Sequence, residues 1–275
     1  MFESDDSLPP VLRNDDVTWL STHELSGGLF SLSLERKTSL ASPEIGDVLQ
    51  GFHGGFFLSG VISLINTRNE CVRDFKGHPR NGLLEYAFYK NDGTTVRVRI
   101  NDLLPTKNGK LVFAQAPNNR FWCPLLEKAY AKFLGGYQNL SLCSLEEIIQ
   151  PLTGNLLNSQ ETSEYENNSL SNWIRNECEK NHPVICKTKH SNGNNGEHGR
   201  AIAVIGVTSS NNEDLICVRD PMKTTTETIK IGDFKREFDF VATCDQYVYN
   251  LIRKAPTYDT FGRCRNRCKD SKLFG

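Results

Sequence analysis

Apolar and polar positions divide the chain into segments of different period. Leu58, Val61, Ile62 and Ile65 recur at i, i+3, i+4 and i+7 after Gly54-Gly55, which predicts a helix with one apolar face. A hairpin is predicted next: a first strand over 84–90, the turn Asn91-Asp92-Gly93, and alternating Val96, Val98 and Ile100. The helical period returns over 122–133, with Leu125, Leu126, Ala129, Tyr130 and Phe133 on its inner side, and Gly135-Gly136 stops it. Another amphipathic helix is predicted over 170–178. After a loop of Asn, Gly and Ser over 190–199, strand patterns take over. Residues 201–207 form a continuous apolar run, as expected of a buried strand, and 215–218 returns as its partner after a turn at 209–213. Residues 240–249 read as a further strand.

The order is a helix-rich first half and a strand-rich second half, without internal repeats. The polar stretch over 151–170 marks the boundary between them. This gives four parts: a polar, Pro/Ser-rich leader over 1–45 anchored by Trp19, a first lobe over 46–155, a second over 156–254, and a basic tail over 255–275.

Composition narrows the class. With 38% hydrophobic and 24% charged residues in 275, the chain can bury real cores. A net charge of −1 gives no bulk field for nucleic acid or an acidic membrane, and no apolar stretch approaches a membrane span. The start of the chain is acidic where a secretory signal would be basic. Nine cysteines without a metal-type Cys-x-x-Cys pair are most simply reduced thiols, so a cytoplasmic location is expected.

Three stretches carry a family resemblance. The most specific runs from Asn101-Asp-Leu-Leu-Pro-Thr-Lys-Asn-Gly-Lys-Leu-Val-Phe113 through Phe121-Trp122 and Leu125-Leu-Glu-Lys-Ala-Tyr-Ala-Lys132 to Gly136-Tyr137. The others are Asp47-Val-Leu-Gln-Gly51 and Gly199-Arg-Ala-Ile-Ala-Val-Ile-Gly206 with Arg219-Asp220-Pro221 downstream. Together they resemble the calpains, calcium-dependent cysteine proteases with a papain-like core. The resemblance implies an α+β fold of two lobes, helical and antiparallel β-rich, with a cleft between.

It also implies where the catalytic residues belong. The family's oxyanion glutamine matches Gln50. Its cysteine at the head of the first helix falls at Phe56, its histidine at Arg200 and its orienting asparagine at Asp220. A phenyl ring has no ionisable proton, and a guanidinium cannot accept one. The expectation is therefore that the chain is not an enzyme but a pseudoprotease, a binding or regulatory protein with an unidentified protein partner; the alternative is an active calcium-dependent endopeptidase. Arg200 and Asp220 are candidates for a structural ion pair, or each points to solvent. His198, two residues before Arg200, reads as a solvated loop histidine.

The family's calcium sites look degraded too. Asp47 matches one acidic ligand, but the partner glutamate, just before Phe121-Trp122, is Arg120, whose charge would repel calcium. The second lobe's loop after Pro221 is short and has lost its tryptophan, so no cofactor is expected. In the tail, Cys264 and Cys268 lie among basic residues and are candidates for acylation, or the tail is simply solvated.

Overall fold

The computed structural model describes residues 8–13, 16–28, 43–51, 56–67, 71–72, 74, 77–80, 83–142, 146–189, 199–211 and 213–244. Gly54-Gly55, His198, positions 245–249 of the last expected strand, and the tail with Cys264 and Cys268 lie outside them.

In the first half the elements are α1 (Pro10–Arg13), β1 (Val17–Ser21), α2 (Thr22–Leu25), α3 (Phe57–Asn66), β2 (His78–Arg80), β3 (Leu83–Tyr89), β4 (Thr95–Ile100), β5 (Leu103–Lys107), β6 (Lys110–Leu111), α4 (Trp122–Phe133) and α5 (Glu146–Thr153). The second half holds β7 (Asn158–Glu161), α6 (Asn167–Glu179), β8 (Val184–Thr188), β9 (Ala201–Ser210), β10 (Glu213–Arg219), β11 (Glu227–Lys230), α7 (Ile231–Glu237) and β12 (Phe238–Thr243). Two three-stranded sheets, β1-β5-β6 and β2-β3-β4, flank the first-half helices, and one six-stranded sheet, β11-β10-β9-β8-β12-β7, organises the second. Strand β1 lies inside the segment expected as a leader; Trp19 there packs on Tyr137 with ring centroids 6.2 Å apart.

The predicted hairpin forms as β3 and β4. Gly93 takes φ 77°, and the Asp92 carboxylate accepts from the Thr94 N–H at 2.8 Å, fixing the turn. Leu84, Tyr86 and Phe88 alternate into the core, while Glu85 on the opposite face pairs with Arg97 and Arg99.

Helix α3 departs from the single-face expectation: Phe57 through Leu64 are all buried. The reason is that α3 lies between the first-half helices and one face of the large sheet. Phe57 stacks on Tyr130 of α4 at 4.1 Å, and on the other side Ala201, Ala203 and Ala242 of the sheet join the same core. The opposite face of that sheet sends Ile202, Val204 and Val241 into a second core with Leu170 and Ile174 of α6 and Phe234 of α7. The apolar run over 201–207 is thus a strand with alternate residues in two cores, Ala201, Ala203 and Ile205 on the α3 side and Ile202, Val204 and Val207 on the α6 side.

Small side chains let the helix approach closely. Ser59 donates to the Ala201 carbonyl at 2.6 Å, and Asn66 donates to the Ile205 carbonyl at 3.1 Å. Seven helical residues span about 10 Å and four strand residues about 13 Å, so α3 runs roughly along β9. Ala203→Leu should overpack this contact and destabilise the fold by about 1–3 kcal/mol, read as a lower urea midpoint with unchanged slope.

Candidate active site

The structure gathers the four residues at the junction of the two halves. Gln50 sits in the extended segment 48–51, held from both sides: its N–H donates to the Pro221 carbonyl at 2.8 Å, and the neighbouring Leu49 carbonyl accepts from Gln115 N–H at 2.8 Å. Gly51 is required there because a Cβ would lie 2.2 Å from the Phe113 carbonyl oxygen and 2.7 Å from that of Val112. Phe56 is the residue before α3, half-buried against the core, with no side chain capping the helix. Three residues on, Ser59 bonds to Ala201, which brings the helix head beside Arg200.

Arg200 and Asp220 flank the same end of the paired strands β9 and β10, and they meet: an Arg200 terminal nitrogen lies 3.1 Å from Asp220 Oδ2. The other oxygen of Asp220 accepts from the Met222 N–H at 2.9 Å. The same Arg200 nitrogen lies 3.7 Å from Met222 Sδ. The Asp220 side chain is 5% exposed and that of Arg200 56%, so the carboxylate is fixed while the guanidinium faces outward. Arg219, itself buried, donates to the Asp220 carbonyl at 2.7 Å. Burial holds the Arg219 pKa below the usual arginine range, opposed by the adjacent Asp220 charge.

A buried carboxyl absent from the sequence expectations supports this site from behind. Glu127 lies in α4, 1% exposed, and accepts from the Ala114 N–H at 2.7 Å. It thereby holds the loop 112–115 that presses on Gly51 and bonds Leu49. Burial pushes its pKa up to about 8, with the Ala114 hydrogen bond acting the other way. Lys128 is buried beside it and ties Asn101 and Leu103 to the helix, with Nζ 2.6 Å from the Leu103 carbonyl and 5.7 Å from the centre of the Trp19 ring. The one available signal was two adjacent charges, Glu127-Lys128, between the apolar pairs Leu125-Leu126 and Ala129-Tyr130.

The Asp47 carboxylate is enclosed by donors. That carboxylate is 4% exposed and already receives Arg120 Nε at 2.7 Å, Trp122 Nε1 at 2.9 Å and the Glu44 N–H at 2.9 Å. Among the described residues no group of three His, Cys, Asp or Glu could hold a metal ion, and no helix is long and apolar enough to cross a membrane.

Comparison with known proteins agrees with the geometry. A family model described as calpain family cysteine protease matches residues 6–245. Calpain-1 catalytic subunits of Mus musculus and Homo sapiens are each 32% identical over 165 residues, covering 54% of this chain and 23% of theirs. Calpain clp-1 of Caenorhabditis elegans is 36% identical over 117 residues, 40% of this chain and 15% of its own. The chain therefore spans about a quarter or less of the length of these relatives.

These matches overturn the expectation that the chain is not an enzyme. The matched family is one of cysteine proteases, and its pattern extends through the strands and helices that build the site on both halves. The side chains at 56, 200 and 220 do not by themselves remove the chain from that class.

Two outcomes are expected. The Glu127 carboxyl titrates near 4.5 when unfolded and at about 8 when folded, so its contribution to stability is complete below 4.5 and is lost as pH rises through 8. Urea midpoints should accordingly fall over that window, and Glu127→Gln should flatten the fall. A double-mutant cycle on Arg200 and Asp220 should give a coupling of only about 0.2–1 kcal/mol, because the guanidinium is well solvated. Asp220→Ala alone should cost more than Arg200→Ala, since it also strands the Met222 N–H.

Proposed function

Because the chain belongs to the calpain family of cysteine proteases, we propose that this core uses its cleft to hold a polypeptide segment of a protein partner, as a regulatory member of the family. The observation that carries the reading is the Arg200–Asp220 ion pair set beside Phe56 at the head of α3. In this reading Phe56, Arg200 and Asp220 stand at the family's cysteine, histidine and asparagine positions, and Gln50 keeps the oxyanion glutamine. An aromatic ring, an outward guanidinium and exposed Met222 offer a bound chain apolar and carboxylate-seeking contacts. The partner is a protein rather than nucleic acid, and the compartment is the cytoplasm.

The second reading is a calcium-dependent cysteine endopeptidase, favoured by the relatives that are named catalytic subunits. It draws its nucleophile from a thiol away from the helix head. Burial pushes the thiols of Cys71, Cys123, Cys178, Cys186 and Cys217 up, with Cys178 at about 11, which disfavours the reactive thiolate at those five.

One experiment separates the two. A labelled unfolded protein is mixed with the pure chain in millimolar calcium or in chelator; binding is followed by anisotropy, cleavage on gels, and labelling by a covalent thiol-protease probe through mass spectrometry. The first reading expects saturable binding in both buffers, weakened on the order of tenfold by Arg200→Glu. Absence of binding would remove it. Cleavage that needs calcium and is blocked by the probe would establish the second, and the labelled peptide would name the nucleophile.

A further inference from the structure

The carboxylate of Asp47 is the most completely surrounded acid near the site. It is buried, lies in the single turn over 45–47, and meets a guanidinium, an indole N–H and a backbone N–H within 2.9 Å. The same guanidinium reaches outward to Glu44, with 3.5 Å between its terminal nitrogen and Oε1. Two acidic side chains one turn apart are thus bridged by one cation, which is the arrangement a divalent ion would otherwise satisfy.

The backbone is shaped to deliver that cation. Arg120 closes the turn Pro117–Asn119, in which Asn118 and Asn119 both take left-handed conformations, φ 55° and 58°. Asparagine is among the few residues that adopt such angles readily. The Arg120 N–H then bonds back to Pro117 at 3.1 Å, and its side chain is 21% exposed, sheltered against Asp47. Trp122, two residues on, donates to the other carboxylate oxygen, so loop and helix start grip the same acid.

What the cation organises matters for the site. Asp47 ends its turn three residues before Gln50. The segment between is held by the Val48 N–H on Ile45, Gln115 N–H on the Leu49 carbonyl, and the Gln50 N–H on Pro221, the neighbour of Asp220. We infer that Arg120 is a tethered cation that does the work of a metal ion here, setting the Glu44–Gln50 segment permanently and making this wall of the site independent of calcium. The inference stands apart from whether the cleft binds or cleaves, since it concerns only what positions residues 44–50.

A consequence with a gain of function follows. Replacing Arg120 by glutamate removes the cation and leaves Glu44, Asp47 and the new carboxylate around the vacated place, with waters completing an all-oxygen shell that suits calcium. The test compares the parent chain, Arg120→Glu and Arg120→Ala in chelator and in millimolar calcium, by thermal unfolding and by terbium luminescence excited through tryptophan, the Trp122 indole being in contact with Asp47. The parent should show the same midpoint in both buffers and no sensitised terbium signal. Arg120→Glu should unfold several degrees lower in chelator, recover at least half of that loss in calcium, and light up terbium. Arg120→Ala should lose similar stability, ignore calcium, and be partly rescued by millimolar ethylguanidinium, which keeps the inference testable if the glutamate variant fails to fold. Calcium stabilisation of the parent that disappears in Asp47→Asn would overturn the inference. So would an Arg120→Ala chain as stable as the parent, or an Arg120→Glu chain that folds yet responds to neither calcium nor terbium.

Discussion

Everything at the site depends on how closely α3 can lie against the large sheet. The strands present alanine toward the helix at Ala201, Ala203 and Ala242, and the helix answers with a buried serine whose hydroxyl reaches the Ala201 carbonyl at 2.6 Å. A buried hydroxyl without such an acceptor would cost on the order of 1–3 kcal/mol, so the bond both permits the approach and fixes its register. Because Arg200 precedes Ala201 and Phe56 precedes the first turn of α3, this contact sets the distance between the two halves of the site. The bulky residues on the opposite side of the same strands, Ile202 and Val204, give α6 and α7 an independent core, so the sheet is held rigid from behind.

Around this contact the chain places several ionisable groups in the interior, and each has a distinct way of being tolerated. Asp47 is surrounded by a cation and two N–H donors. Glu127 is buried with the Ala114 N–H as its donor, and it responds by holding its proton to a higher pH. Lys128 is satisfied by the carbonyls of Asn101 and Leu103 together with the Asn101 amide oxygen. All three brace the corners of β4–β5, the loop after β6, and the segment leading to Gln50. The most family-like stretch of the sequence, 101–137, is therefore the part where backbone corners are locked by buried charge.

Regular elements with one strong period were legible in the sequence. The hairpin was readable from Asn91-Asp92-Gly93, α4 from its apolar spacing and glycine stop, and β9 from an uninterrupted apolar run. Periodicity could not reveal that α3 is enclosed on all sides, because Ser59 and Ser63 score as polar although their hydroxyls are internally bonded. Strands β1 and β7 were hidden for another reason: both are short, and β7, Asn-Ser-Gln-Glu, draws its conformation from pairing with β12 rather than from its own side chains. At the site, the types of the four residues were readable and their convergence rested on the family resemblance. The burial of Glu127 was not, since a carboxylate on a helix is ordinarily solvated. Three side chains do not decide the class of the whole chain, because the family match extends over nearly all of it.

The bond between Ser59 and Ala201 joins positions 142 residues apart. A ribosome makes the helix long before it makes the strand that covers it. Until β9 emerges, a segment apolar on nearly every side has no permanent partner in the nascent chain, and only the α4 and β3 layer can shelter it. Assembly of the core is thus a late, long-range event with the slow kinetics such closures carry. In the interval the unfinished chain is the form most exposed to chaperones and to self-association.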